Sequence, residues 1–97
     1  MTITQEFLRS RREAILEIAR RYGAHDVRIF GSVARRQSSD GSDVDLLVRF
    51  DPDRSLLDHA GLIGDLEDLL GVKVDVVSEG GMRERFRVRV LSEAVPL

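Results

Sequence analysis

Acids and apolar residues alternate in the stretch Asp43-Val44-Asp45-Leu46-Leu47-Val48-Arg49-Phe50. Successive side chains of a strand point to opposite faces, so Asp43 and Asp45 share one face while Val44, Leu46, Val48 and Phe50 share the other. A second run, residues 72–78, has the same parity: Val72, Val74 and Val76 face a core, and Asp75 points the opposite way with Lys73 beside it. Strands of this kind bury one face only, so the chain must build a sheet covered on its apolar side. If the two strands are neighbours, three carboxylates meet on the open side.

The remaining pattern supplies the cover. Thr2 and Gln5 have the spacing of a capping box, and Leu8, Ile15, Ile18, Ala19 and Tyr22 recur at helical intervals up to Gly23, which predicts a first helix. Residues 25–30 read as a strand that ends at Gly31-Ser32, followed by a brief helical turn over 33–36 and a loop over 37–42. Asp51-Pro52-Asp53 makes a turn, after which Ser55 and Asp58 cap a helix carrying Leu56, Ala60, Ile63, Leu66 and Leu70 on its apolar side up to Gly71. Near the C-terminus Phe86, Val88 and Val90 alternate like a strand, while Met82, Phe86 and Val90 stack like a helix; a helix ending before Pro96 is the preferred reading. The predicted class is α/β (α+β), a mixed sheet with helices mainly on one face, and 97 residues suit a single domain over 1–97.

Close carboxylates oppose each other's ionisation, and a hard divalent cation removes the conflict. The chain has no cysteine and only two, widely separated histidines, His25 and His59, so soft or imidazole-rich metal sites are excluded and magnesium on Asp43, Asp45 and Asp75 is the natural choice. Gly31-Ser32 offers a phosphate cradle: a strand ends, glycine permits close backbone approach, and amides at a helical start face an anion. Arg35 and Arg36, one turn later, can reach the same oxygens. A formal net charge of −2 argues against a general nucleic-acid binder, although four arginines lie between Arg83 and Arg89. The absence of an apolar run approaching the roughly 18 residues of a membrane span makes the cytoplasm the expected location.

A Gly-Ser pair, ten intervening residues, Asp-x-Asp in a strand and a later strand aspartate resemble the nucleotidyltransferase superfamily that includes DNA polymerase β. With Gly31-Ser32-Val33-Ala34-Arg35, Ser42-Asp43-Val44-Asp45-Leu46-Leu47-Val48, Val74-Asp75-Val76-Val77 and the ending Glu93-Ala94-Val95-Pro96-Leu97, the chain is similar to minimal nucleotidyltransferases of the MNT antitoxin type over nearly its whole length. The resemblance implies that Asp43 and Asp45 hold Mg²⁺ on ATP, that Ser32 and the Gly31 backbone bind phosphates, and that Asp75 assists the metal or accepts a proton. It further implies transfer of AMP to a tyrosine of a HEPN-domain toxin, in a hetero-oligomer with that partner. Arg36 departs from the pattern, since many relatives have glycine after the Ala-Arg pair.

Three other readings compete. The chain could neutralise a partner by contact alone, with the C-terminal arginines and apolar residues as its binding surface. It could transfer nucleotide to a small molecule, although such enzymes usually carry an extra domain to shape the acceptor pocket. Arg54 and His59 also fit the Arg-x4-His pattern of HEPN ribonucleases, but the flanking strands do not suit that helical fold.

Overall fold

The computed structural model describes residues 2–97. Helices α1 (Gln5–Ser10) and α2 (Arg12–Arg21) lead into β1 (Ala24–Phe30), the single helical turn α3 (Gly31–Ala34) and β2 (Val44–Phe50). Helix α4 (Leu56–Leu70), β3 (Val74–Ser78), a 3-10 turn (Glu79–Gly81), α5 (Glu84–Glu93) and β4 (Val95–Pro96) follow. The four strands form one mixed sheet in the order β3-β2-β1-β4. β1 runs antiparallel to both β2 and β4, whereas β2 and β3 are parallel and joined by α4, the crossover that a parallel pair requires.

One face of the sheet carries the main core. Ile29 of β1, Val44, Leu46 and Val48 of β2 and Val74 and Val76 of β3 pack with Leu8, Ile15 and Ala19 of α1 and α2 and with Leu62, Leu66 and Leu70 of α4. The buried stripe of α4 matches the sequence expectation at Leu66 and Leu70 and, partly, at Ile63, with Leu62 added, whereas Leu56 and Ala60 of the first turns are exposed. The ends of that helix match expectation. Ser55 Oγ accepts from the Leu57 amide at 3.2 Å, Asp58 Oδ2 accepts from the Ser55 amide at 3.0 Å, and Gly71 closes the helix at φ 71°.

The first helix begins differently. Thr4, not Thr2, is the cap, its Oγ1 accepting from the Phe7 amide at 3.1 Å, and the helix is interrupted at Arg11. Gln5 is only 5% exposed and turns inward, its amide donating to the carbonyl of Ala34 at 2.9 Å and of Val33 at 3.4 Å. A residue that reads as the back half of a capping box therefore holds the end of α3 in place. Arg36 adopts φ 57°, a left-handed conformation that costs a side-chain-bearing residue about 1 kcal/mol, and its guanidinium donates to both Glu6 oxygens at 3.0–3.1 Å. Glycine, which the family resemblance leads one to expect at this position, would adopt that conformation without strain.

Strand β3 forms a sheet edge, and α4 covers its outward backbone groups. Glu67 Oε2 accepts from the Val74 amide at 3.0 Å, and the His59 ring, whose Nε2 lies 2.7 Å from the Val76 carbonyl oxygen, also stacks on Phe50 at 5.2 Å. Arg54, the other half of the ribonuclease-like pattern, lies against Gly23 and pairs with Asp58 at 3.4 Å. Both residues are occupied in packing.

The second face of the sheet carries Arg28, Asp45, Leu47, Asp75 and Val77, as the pairings Arg28 with Leu47, Asp45 with Asp75 and Leu47 with Val77 require. Leu47 is fully buried although it shares the parity of Asp45, so this face is covered beyond the acids. Helix α5 spans that region between two anchors: Arg87 pairs with Glu79 at 3.3 Å near its start, and Glu93 with Arg35 at 3.1 Å at its end. Glu79 also accepts from Arg28 at 2.8 Å, which holds its carboxyl below the usual range.

Gln5→Ala should lower stability by about 1–3 kcal/mol in urea unfolding, since it strips the donor from buried carbonyls. Arg36→Gly should change it by less than about 1 kcal/mol, because relief of the left-handed backbone offsets an exposed ion pair.

Candidate active site

The parallel register of β2 and β3 sets Asp45 directly opposite Asp75. Asp43 lies in the loop immediately before β2, not within the strand, because regular pairing starts at Val44, whose amide donates to the Lys73 carbonyl at 3.0 Å. The three acids thus comprise two side-by-side strand carboxylates and a third at the mouth of the strand. Among the described residues no group of three or more His, Cys, Asp and Glu side chains is already gathered tightly enough to ligate one ion. The expected convergence holds for the strand pair, while Asp43 acts on it at longer range.

Their electrostatics are those of a site with too much negative charge. Partial burial, then the Asp75 and Asp43 charges and a hydrogen bond with Asp75, push the Asp45 carboxyl up to about 6, and only Arg35 opposes this among the stronger influences. Oxygen-only donors with uncompensated charge fit a hard divalent cation, and magnesium commonly takes one or two carboxylates with the rest of its shell from phosphates and water. Asp45 and Asp75 can hold such an ion, with Asp43 within electrostatic reach.

Gly31 forms the adjoining wall. It opens α3 at φ 71°, and a Cβ there would collide with Oδ2 of Asp45 and come within 3.0 Å of its Cγ. Glycine is therefore required twice over, by the backbone angle and by the approach of the acid. Ser32 follows as the second residue of the turn and is half-buried, and no side chain among the described residues engages its hydroxyl. The two arginines separate. Arg35 stays beside the acids, whereas Arg36 swings to Glu6 and Gln5 on α1, away from the place the sequence suggested. Sequence reasoning also missed Gln5 and Glu93, which fix α3 and Arg35; both act over separations of 29 and 58 residues, beyond any local spacing rule.

The shift of Asp45 makes stability depend on pH. Its folded value near 6 lies above the ordinary value of about 3.9, so the folded chain binds the extra proton more tightly between them; this contribution is complete below about pH 4 and lost as pH rises through 6. In chelator-treated protein, Asp45→Asn should add about 1 kcal/mol at pH 8, after allowance for solvent screening, and almost nothing at pH 4. Urea unfolding at the two pH values measures the difference. Gly31→Ala should lower stability at either pH by about 1–2 kcal/mol or more, through the left-handed backbone and the collision with Asp45.

Known proteins resemble the chain in sequence and in fold. Residues 11–97 match the family model described as nucleotidyltransferase domain. A Methanocaldococcus jannaschii protein described as a candidate protein adenylyltransferase is 40% identical over 81 residues, covering 84% of this chain and 87% of its own length. The protein adenylyltransferase MntA of Thermococcus cleftensis is 38% identical over 79 residues, covering 81% of this chain and 80% of its own. A solved structure described as a candidate minimal nucleotidyltransferase superposes with TM-score 0.87 at 56% identity, over 98% of this chain and 97% of that one. A toxin-antitoxin structure with AMP-PNP shares the fold at TM-score 0.75 and 19% identity, over 87% of this chain and 69% of that one. With a matched family model spanning most of its length and relatives alike from end to end, the chain belongs to the nucleotidyltransferase domain family, as one of its minimal nucleotidyltransferases.

Proposed function

We propose that this chain is the antitoxin of a toxin-antitoxin pair and moves AMP from ATP to a hydroxyl, in the family a tyrosine, of a HEPN-domain partner protein. The observation that carries the reading is the Asp45–Asp75 register pair against the Gly31 turn, which puts paired carboxylates beside a backbone shaped for phosphate. The names of the MntA relative and of the toxin-antitoxin structures support the acceptor class and the partner.

In this reading Asp43, Asp45 and Asp75 hold Mg²⁺, which when bound neutralises charge on the triphosphate and the departing pyrophosphate. The Gly31 backbone and Ser32 Oγ take the phosphate oxygens, and Arg35 adds a cation at the rim. The acceptor oxygen forms a bond to the α-phosphorus as the bond to the bridging oxygen breaks, and pyrophosphate leaves with that electron pair. Asp75, the more exposed of the strand pair, takes the hydroxyl proton. The acceptor must come from outside: the chain's single tyrosine, Tyr22, is held between α2 and α4, donating to Asp65 at 2.7 Å. A location in the cytoplasm accords with this role, and among the described residues no helix is long and apolar enough to cross a membrane.

Neutralisation by contact alone is favoured by one feature. On α5, Phe86 and Val88 are 46% and 58% exposed, and Arg85 and Arg89 on that helix and Arg83 at its cap make no ion pair among the described residues. Incubating the chain and its co-purified partner with labelled ATP and Mg²⁺ should label the partner, and Asp43→Ala or Asp45→Ala should reduce labelling at least 100-fold, on the order of the loss when charge stabilisation of a transition state is removed. Full neutralisation of the partner by the double variant without labelling would establish the contact mechanism instead.

A further inference from the structure

The terminal motif Glu93-Ala94-Val95-Pro96-Leu97 has no part in the chemistry above, yet it is tied to the candidate site. Val95 and Pro96 pair with Ile29 and Arg28 of β1, Leu97 is buried, and the Pro96 carbonyl accepts from Arg9 at 2.9 Å. This fixes the end of α5. Glu93, the last residue of that helix, then meets Arg35 Nη1 at 3.1 Å. A carboxylate at a helix C-terminus opposes the helix dipole, so its place there is unfavourable unless a cation answers it. Arg35 answers it across 58 residues of sequence.

Arg35 is also bound to the candidate phosphate turn, for its amide donates to the Gly31 carbonyl at 3.1 Å. Arg36 is committed to Glu6, and Arg28 and Arg87 to Glu79, whereas Arg35 follows directly on the Gly31 turn and its charge reaches Asp45. We propose that Glu93 is a positioning residue for the nucleotide site: it holds the Arg35 guanidinium at the rim of the site, next to the Gly31 turn, while the site is free of nucleotide and yields it to triphosphate oxygens on binding. This rests on the nucleotidyltransferase reading of that site. The pair is half-exposed, with side chains 44% and 35% accessible, and is therefore weak enough to exchange for a phosphate, which accepts an arginine with charge-assisted hydrogen bonds. Glu93 thus competes with the ligand for the Arg35 guanidinium.

Calorimetric titration of the full chain with ATP and Mg²⁺ tests this with native protein, Glu93→Gln, Arg35→Met and the double variant. Glu93→Gln should bind ATP about two- to five-fold tighter, the range set by an exposed ion pair. Arg35→Met should bind more weakly, and adding Glu93→Gln to it should change nothing further. Unchanged or weaker binding by Glu93→Gln overturns the proposal, as does equal tightening in the Arg35→Met background, which would mean simple charge repulsion. Native protein that takes up no ATP removes the nucleotide reading and this proposal together, whereas uptake by native protein with no Glu93 effect removes this proposal alone. Should Glu93→Gln not fold, Glu93→Asp keeps the charge but shortens the reach; a smaller tightening that depends on Arg35 supports the proposal, and no tightening overturns it.

Discussion

Parallel pairing of β2 with β3 forces Asp45 and Asp75 side by side, and the surrounding architecture holds that register in place. Slipping either strand by one residue would turn Val44, Leu46 and Val48, or Val74 and Val76, out of the core, so burial of five apolar side chains fixes the position of two carboxylates. The unfavourable charge contact on one face is offset by apolar packing on the other. Stability and site geometry thus reside in the same strands, on alternate residues.

The glycine turn depends on the same pair. Because Asp45 approaches Gly31 too closely for a side chain there, the strand end and the acid define one concave corner. Gln5 holds the far end of that turn through the Ala34 carbonyl, and Arg36 tethers the following loop to α1. The N-terminal helix, remote in sequence from the acids, is therefore a buttress for that corner.

Much of this was legible in the sequence because it is governed by short periods. The alternation in residues 44–48 and 74–76 identified the strands and the faces, Ser55 with Asp58 marked the start of α4, and the Gly-Ser to Asp-x-Asp spacing carried the family resemblance. The misreadings share a cause. Thr2 and Thr4 are both plausible caps for one helix, but the Thr4 hydroxyl takes the Phe7 amide while the Thr2 hydroxyl donates to Asp40, 38 residues away. Leu56 fits an apolar stripe by spacing, yet it is exposed, a fact of tertiary position. Asp43 follows strand parity but precedes the first paired residue, and Arg36 follows Arg35 but meets a different carboxylate, because its left-handed backbone redirects the side chain. Family membership follows from a match over residues 11–97 and a solved structure alike over 98% of the chain.

The capped edge of β3 has a wider consequence for how this molecule can assemble. Glu67 and His59 occupy backbone groups that a foreign strand would need, and at the opposite flank β4 is two residues long and contains a proline, which has no amide hydrogen to offer. Sheet-to-sheet recruitment is discouraged at both borders, so chains of this kind are guarded against ribbon-like self-polymerisation even when crowded. Companions are left to engage the molecule by side chains on its helical surfaces, where recognition can be tuned one residue at a time without disturbing the register beneath.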